Sequence, residues 1–132
     1  MTKETAIAVP RSPVSVGLTI RGHKVVQDKV PASGGKDEGP MASEFLLAAL
    51  LACQHSTSVK VAAKRRVAWT IGRLDGAMDF DSAGDIATID VVFTVTTDAA
   101  DAAVDIILRL TEKTCTISRA LKVPVAVSFR RA

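Results

Sequence analysis

The feature that most constrains this chain is a run of nine apolar residues from Phe45 to Cys53. Ser43 is a good helix cap, and Pro40 is tolerated in the first turn of a helix. Glu44 suits the positive end of a helix, so we expect a helix that begins at Pro40 or Ser43 and ends near Arg66. A surface helix has one apolar stripe, whereas this run is apolar on every face. The predicted helix must therefore be covered on all sides.

The length and composition indicate a single folded domain over residues 1–132. Hydrophobic residues make up 48% of the chain and charged residues 23%, which excludes a disordered or collagen-like protein. Aromatic residues make up only 4%, so the core is expected to be aliphatic. The apolar run is shorter than the about 18 to 20 residues that cross a bilayer, and residues 1–10 contain no signal-peptide core. We expect a soluble, cytoplasmic protein without a membrane partner.

Apolar alternation and turn residues predict the other elements. They are, in chain order, an edge strand at 4–9 that Pro10 and Pro13 interrupt, a hairpin of strands at 14–20 and 23–27, two strands at 67–80 and 86–96, a helix capped by Asp98 that runs to about Lys113, a helical turn to Leu121, and a strand at 123–129. Helices segregated from strands define an α+β fold with a largely antiparallel sheet. One modest sheet cannot cover the apolar helix, so we expect a homodimer with that helix at its centre.

The net charge of +3 gives little indication of a partner. Basic residues concentrate at Lys60, at 64–66 and at 130–131, and no aromatic residues lie among them to stack on bases. We therefore expect no nucleic-acid partner.

The two cysteines, Cys53 and Cys115, are too few for a disulfide scaffold or a four-cysteine metal site. Two is the number that a reversible thiol/disulfide couple needs. Cys53 lies where the predicted helix turns polar. Cys115 follows a helix break and begins a new helical turn, whose positive end lowers the pKa of a thiol. The alternative is that both are small buried hydrophobic residues without chemistry.

Other constellations of reactive residues are weaker. His55 lies two residues from Cys53 and does not share its helix face, which argues against a cysteine–histidine pair within one chain. Cys53, His55 and His23 match no zinc spacing, so we expect no metal. The glycine-rich stretch at 34–39 lacks the Lys-Ser/Thr end of a phosphate-binding loop. We expect no bound cofactor.

Two motifs around the cysteines resemble the signature of the OsmC/Ohr superfamily. The first is a Gly-Gly loop at Gly34 and a Gly-Pro helix start at Gly39, followed by Glu44, an aliphatic run and Cys53. The second, at residues 114–121, is similar to the family's second-cysteine motif, Cys-Pro-x-Ser-x-x-Leu. The two motifs occur in the same order, and at the same distance along the chain, as in the family. This agreement argues against a chance match.

The resemblance spans roughly residues 14–130 and is greater to the less characterised OsmC-like branch than to Ohr proper. It implies an intertwined homodimer in which two central helices pack against largely antiparallel sheets, with two active sites built from both chains. It also implies thiol-dependent reduction of hydroperoxides, organic ones especially, in defence against oxidative stress. Cys53 would become a sulfenic acid and Cys115 would condense with it to a disulfide. An external dithiol, thioredoxin-like or lipoyl, would restore both thiols.

The resemblance further implies an Arg from the N-terminal strands beside the reactive thiol, held by a Glu near the helix start. Arg21 is the candidate, from its place in the hairpin, and Arg11 is the alternative. Glu44 lies nine residues before Cys53, where the best-characterised peroxidases of the family have ten. At about 100° per residue, Glu44 is half a turn from the thiol on a straight helix. Glu44 then belongs to an irregular first turn, to the partner's site or only to the helix end.

A function from another class stays open. The fold also suits a non-enzymatic binding module whose apolar cleft takes an acyl or aromatic ligand, or a thiol redox sensor. Ala42 stands where the OsmC-like branch has an inner Pro at the helix start, and Thr116 replaces the Pro after the second cysteine, so the geometry at both thiols is expected to differ. The pKa of Cys53 discriminates the two functions, because a value near that of free cysteine, about 8.5, favours binding.

Overall fold

The structure is a computed structural model that describes all of residues 1–132, and it divides into two compact units, Met1–Leu46 and Leu47–Ala132. The first unit contains strands β1 (Ile7–Ser12), β2 (Ser15–Ile20) and β3 (His23–Gln27). The second contains strands β4 (Thr70–Phe80), β5 (Ile86–Thr96) and β6 (Val125–Arg131), with helices α2 (Asp101–Thr114) and α3 (Thr116–Ala120). Helix α1 (Ala42–Lys64) begins in the first unit and continues into the second. This inventory confirms the α+β class, and the single-domain organisation stays a prediction.

In the first unit, β1, β2 and β3 form an antiparallel sheet in that order. The predicted hairpin is confirmed, and its turn consists of Arg21 and Gly22, with φ of 48° and 83°. Two consecutive positive φ values are what a two-residue hairpin turn with the right-handed strand twist requires. Gly22 adopts this conformation without strain, and Arg21 is one of three residues other than glycine with positive φ.

The expectation that Pro10 interrupts the edge strand is wrong. Strand β1 runs through Pro10, which pairs with Val16, and the register shifts between Pro10 and Ser12. A proline lacks the N–H that a central strand must donate, but an edge strand next to a bulge tolerates this loss. The residues that follow, Pro13 and Val14, form the turn into β2.

The Gly-Gly loop is organised by a buried carboxylate. Asp28 accepts hydrogen bonds from the backbone N–H groups of Lys29, Lys36 and Glu38, at 2.7, 3.2 and 3.2 Å. Burial raises the pKa of Asp28, but these bonds and the Arg11 charge outweigh it, so the pKa lies below its usual value. Gly39 has no room for a side chain, because a Cβ atom would lie 2.0 Å from a backbone oxygen of β3.

In the second unit, the helices pack on a mixed sheet of order β4-β5-β6. Strands β4 and β5 are antiparallel, whereas β5 and β6 are parallel and are joined through α2 and α3. Alternate residues of β5 face the core, where they contact Leu50 of α1 and residues of α2; they are Ile89, Val91, Phe93 and Val95. Gly76 of β4 lets α1 approach closely, because a Cβ there would lie 3.0 Å from leucine side chains of α1.

Three boundaries in this unit differ from the sequence expectation, and one of them is that of β4, which begins at Thr70 rather than at residue 67. Helix α2 begins at Asp101, and its N-cap position is Ala100, which offers no capping side chain, so Asp98 does not cap it. An acidic residue in the first turn, Asp101, still complements the positive helix end. Strand β6 begins at Val125, two residues later than expected, and its alternation of half-buried and exposed residues is confirmed.

Helix α1 is buried on one face only within a single chain. The buried residues recur every fourth position, and they are Leu50, Gln54, Ser58 and Ala62. Several apolar residues on the other faces are exposed, among them Ala48, Ala52 and Val59. By length and composition alone α1 is long enough to cross a membrane, but one such helix is weak evidence, since the core helix of a soluble protein meets the same criterion. The packing of its inward face on β5 and α2 is that of a core helix.

Candidate functional site

The fold brings the two cysteines together. Cys53 lies on α1, in the fourth turn, and is half-buried. Its Sγ is 3.9 Å from Oγ1 of Thr57, one helical turn further on. Cys115 lies between α2 and α3 and is fully buried. The two thiols are neighbours that shift each other's pKa, and both are free rather than joined in a disulfide.

Cys115 is fixed by the break between two helices. Its backbone N–H donates to the carbonyl of Thr111 at 2.8 Å and closes α2. Its side chain is the N-cap of α3, because Sγ accepts the backbone N–H of Ser118 at 3.5 Å. Cys115 also belongs to the apolar cluster that contains Leu50 and Phe93. The expectation that it begins a new helical turn is therefore confirmed.

The surroundings of Cys53 favour its thiolate. Burial raises the pKa of the Cys53 thiol, but a hydrogen bond from the Cys115 thiol and the backbone N–H of Ile117 outweigh this effect. The Thr57 hydroxyl and the backbone N–H of Thr116 act in the same direction, so the pKa lies below its ordinary value. The first turn of α3 thus presents its free amides to the sulfur of another helix.

The surroundings of Cys115 favour its protonated form. Burial raises the pKa of the Cys115 thiol, and the hydrogen bond that it donates to Cys53 raises it further. Hydrogen bonds from Ser118 and from the N–H of Ile117 oppose this but do not cancel it. The expectation that a helix start lowers the pKa of Cys115 is wrong, because burial and the neighbouring thiol outweigh the helix end.

The structure also contains residues that sequence reasoning missed. Thr57 lies four residues after Cys53, and this spacing, which places both on one helix face, was the available signal. Gln54 is a fully buried polar residue directly after the apolar run, and polar residues at buried positions are informative. The sequence around Cys53 does not indicate that the α3 amides contribute to its pKa, since 62 positions separate Cys53 from Cys115.

An open groove of about 560 Å³ lies between α1 and the junction of α2 and α3, and neither cysteine lines it. Its wall includes Thr57 and Thr116, which both contribute hydrogen bonds to Cys53. The remaining lining consists of aliphatic and basic side chains and one further threonine, namely Val61, Leu110, Lys60, Lys64, Arg65 and Thr114. The groove therefore reaches two neighbours of Cys53, Thr57 and Thr116, rather than the thiol itself.

The other predicted site residues lie in the first unit. Arg21 is exposed in the turn between β2 and β3. Arg11 on β1 donates to Glu38 at 3.0 Å and to Ser15 at 3.1 Å. Glu44 lies in the first turn of α1, where its carboxylate accepts the backbone N–H of Met41 at 2.8 Å, which satisfies the helix end. The roles of Arg21, Arg11 and Glu44 at Cys53 stay predictions.

No three or more His, Cys, Asp and Glu side chains gather in an arrangement that would hold a metal ion. His23 lies at the start of β3 and His55 on α1, and both are exposed. The candidate site therefore consists of the thiol pair and the hydrogen-bond donors around it.

An α+β fold with a cysteine on its long helix and a second cysteine at a later helix start defines the class of OsmC-like proteins. The sequence matches the family described as OsmC-like protein over residues 35–130, and the chain belongs to this family. No curated protein matches the sequence.

Solved structures share the fold over nearly the whole chain. An OsmC-like protein from Mycoplasma pneumoniae has a TM-score of 0.83 at 15% identity and covers 99% of this chain and 98% of its own. An organic hydroperoxide resistance protein from Elizabethkingia anophelis has a TM-score of 0.78 at 11% identity, with coverage of 100% and 98%. The organic hydroperoxide resistance protein OhrB of Bacillus subtilis has a TM-score of 0.65 at 19% identity, with coverage of 99% and 98%. At these identities the likeness concerns the fold.

Proposed function

We propose that this protein is a two-cysteine thiol peroxidase that reduces hydroperoxides, organic ones especially, in defence against oxidative stress. The observation that carries the proposal is the neighbouring pair of Cys53 and Cys115, in which the more exposed thiol has the lowered pKa and the buried thiol the raised one. A peroxidatic cysteine needs both exposure and thiolate character, and a resolving cysteine must lie close to it. Membership of the OsmC-like family supports the same function.

In the first step, the Cys53 thiolate attacks the terminal oxygen of the hydroperoxide. A sulfur–oxygen bond forms, the oxygen–oxygen bond breaks, and the alkoxide takes up a proton and leaves as the alcohol. The sulfur loses two electrons to the peroxide and becomes a sulfenic acid. The lowered pKa of Cys53 increases the thiolate fraction near neutral pH, and the groove beside Thr57 admits the substrate.

In the second step, the Cys115 sulfur attacks the sulfur of the Cys53 sulfenic acid. The disulfide bond forms, the sulfur–oxygen bond breaks, and the hydroxide leaves with the Cys115 proton as water. An external dithiol, such as a thioredoxin-like protein or a lipoyl group, then reduces the disulfide by thiol–disulfide exchange and is itself oxidised. This cycle requires no bound cofactor and no metal.

Arg21 is the residue that we propose to stabilise the Cys53 thiolate, with Arg11 as the alternative. The Arg11 guanidinium is engaged by Glu38 and Ser15, whereas Arg21 is exposed at a hairpin turn. Glu44 would orient the arginine, although its carboxylate caps the start of α1. We further propose an intertwined homodimer in the cytoplasm, because much of the apolar surface of α1 is exposed in a single chain.

The test is a stopped-flow assay in which the reduced protein is mixed with an alkyl hydroperoxide and an excess of a dithiol. The natural protein should consume hydroperoxide catalytically, and Cys53→Ser should abolish consumption. Cys115→Ser, the matched control, should still form a sulfenic acid on Cys53, which dimedone traps for mass spectrometry. Absence of turnover in the natural protein, or full turnover in Cys53→Ser, would overturn the proposal. Oxidation of Cys53 without turnover would instead support a redox sensor.

A further inference from the structure

Gln54 is a buried polar residue that the thiol chemistry described so far does not use. It follows Cys53 directly in the sequence and lies on the inward face of α1, with no exposed surface. Its side-chain Nε2 donates two hydrogen bonds, to Oε2 of Glu112 on α2 and to Oγ of Ser118 on α3, both at 3.2 Å. One side chain therefore joins the helix of the first thiol to both helices that flank the second thiol.

The orientation of the Gln54 amide is determined by its partners. A carboxylate accepts hydrogen bonds but donates none, so Nε2 rather than Oε1 must face Glu112. With Nε2 bound to both partners, the carbonyl oxygen Oε1 is left buried without a partner. An unpaired buried polar atom lowers the stability of the fold, so this arrangement is retained against a stability penalty.

Ser118 connects the amide to the second thiol. Its backbone N–H donates to Cys115 Sγ at 3.5 Å. Its hydroxyl oxygen accepts from Gln54 Nε2, and the hydroxyl lies near enough to Cys115 to lower the pKa of that thiol. Cys115 in turn donates to Cys53. Hydrogen bonds therefore connect Gln54 through Ser118 to Cys115, the thiol that neighbours Cys53.

We propose that Gln54 is a positioning residue for the resolving thiol, which acts by holding Ser118 and the first turn of α3 so that Cys115 faces Cys53. The proposal rests on the peroxidase function and assigns Gln54 to its second step. Gln54 touches neither substrate nor reacting sulfur. Glu112 fixes the direction of the amide, and Ser118 transmits its position to Cys115.

This placement matters for disulfide closure because Cys115 must lose a proton to attack. The Cys115 sulfur forms a bond to the Cys53 sulfur, the Cys53 sulfur–oxygen bond breaks, and water leaves with the proton. Hydrogen bonds from the Ser118 hydroxyl and N–H stabilise the negative charge that develops on the Cys115 sulfur. A displacement of about 1 Å at a reacting group costs up to about a hundredfold in rate, so loss of the Gln54 bonds should slow closure.

The experiment compares Gln54→Met with the natural protein in a single turnover followed by quenched-flow mass spectrometry. Gln54→Met keeps the side-chain volume and removes the donor. We expect sulfenic acid formation on Cys53 to change less than about twofold, and disulfide closure to slow by about tenfold to a hundredfold. The trapped sulfenic acid should therefore accumulate. Ser118→Ala should produce the same separation of the two steps.

Ser58→Ala is the matched structural control. Ser58 is fully buried on the same face of α1, one turn after Gln54, and accepts the indole N–H of Trp69 at 3.2 Å. Its removal disturbs the packing of α1 without touching α3, so closure should keep its natural rate. Equal slowing in Ser58→Ala would reduce the role of Gln54 to general stability and would overturn the proposal.

A second readout keeps the proposal testable if the peroxidase function fails. In a Cys53→Ser background, the thiolate absorbance of Cys115 near 240 nm is titrated with and without Ser118→Ala. Loss of the hydroxyl donor should move the Cys115 transition to higher pH. An unchanged Cys115 transition would contradict the positioning role, as would an unchanged rate of disulfide closure in both Gln54→Met and Ser118→Ala. Absence of hydroperoxide consumption in the natural protein would contradict the proposed function alone.

Discussion

The protein contains two thiols, Cys53 on α1 and Cys115 between α2 and α3. Their pKa values are shifted in opposite directions. Cys53 is half-buried and its pKa is lowered, whereas Cys115 is fully buried and its pKa is raised. Burial raises both values, so burial alone does not separate them. The direction of the hydrogen bonds does, because Cys53 receives bonds from several donors and Cys115 gives one to Cys53.

This difference shows that the two thiols depend on one element. The first turn of α3 offers amides to Cys53, and its N-cap is Cys115 itself. One short helix therefore contributes hydrogen bonds to both sulfurs, and Cys115 stays protonated because burial and the neighbouring Cys53 thiol outweigh the α3 donors. Changes that separate these two effects test the proposed roles.

The largest expected effect comes from opening the core under Cys115. Phe93→Ala removes a fully buried ring from the cluster that contains Cys115, at a cost of about 3–5 kcal/mol of unfolding free energy. If Cys115 is labelled only through opening of the core, its alkylation should accelerate by about 10² to 10⁴. Cys53 should change far less because it is already accessible. Mass spectrometry of iodoacetamide-labelled protein distinguishes the two, and equal acceleration would mean that Cys53 is as protected as Cys115.

The next effect concerns the donor that Cys53 receives from Cys115. Cys115→Ala removes this donor, whereas Cys115→Ser retains a hydroxyl that donates to a thiolate. A hydrogen bond to a charged group contributes about 1.5–3 kcal/mol, so alkylation of Cys53 at neutral pH should fall by about tenfold to a hundredfold in the alanine variant. The serine variant should stay close to the natural rate. The comparison fails if both variants behave alike.

A pH titration compares the thiols directly. In Cys115→Ser the thiolate absorbance reports Cys53, and in Cys53→Ser it reports Cys115. Cys53 should ionise at a lower pH than in the urea-unfolded chain, because its folded pKa is lowered. Cys115 should ionise at a higher pH than in the unfolded chain, because burial remains when Cys53 is replaced. Transitions displaced in the same direction would remove the contrast between the two sites.

The smallest effect is expected at Thr57. Its hydroxyl lies 3.9 Å from the Cys53 sulfur, which is a weak contact, so Thr57→Val should slow Cys53 alkylation by about twofold to threefold. Thr57→Ser retains the hydroxyl and serves as the control. A tenfold loss in Thr57→Val would assign to this hydroxyl the contribution that we attribute to Cys115 and to the amides of α3.

The fold was largely predictable because its strongest signals are local. The hairpin turn at 21–22 and the boundaries of β5 follow from side-chain alternation and turn residues. The path of β1 through Pro10 was not predictable, since an edge position beside a bulge is set by pairing with β2. The parallel pairing of β6 with β5 is likewise a tertiary property that strand patterns do not encode.

The two cysteines of the site could be predicted from the sequence, whereas the directions of their pKa shifts could not. The motifs predicted that Cys53 and Cys115 act together, and the structure brings them into contact. The sequence pattern assigned the favourable helix end to Cys115, whereas the amides of α3 also reach Cys53. The packing angle between α1 and α3 determines which sulfur accepts hydrogen bonds from α3. These helices are distant in sequence, so a local sequence pattern cannot predict that angle.

The parallel pairing of β5 and β6 has a consequence for motion. Parallel neighbours need a crossover, and here the crossover is α2 followed by α3, with Cys115 at their junction. Both ends of this connection are anchored in adjacent strands of one sheet, so the junction behaves as a tethered hinge with a short travel. Deuterium uptake that differs between the reduced and oxidised protein should therefore concentrate in residues 115–121, while β5 and β6 exchange alike in both states.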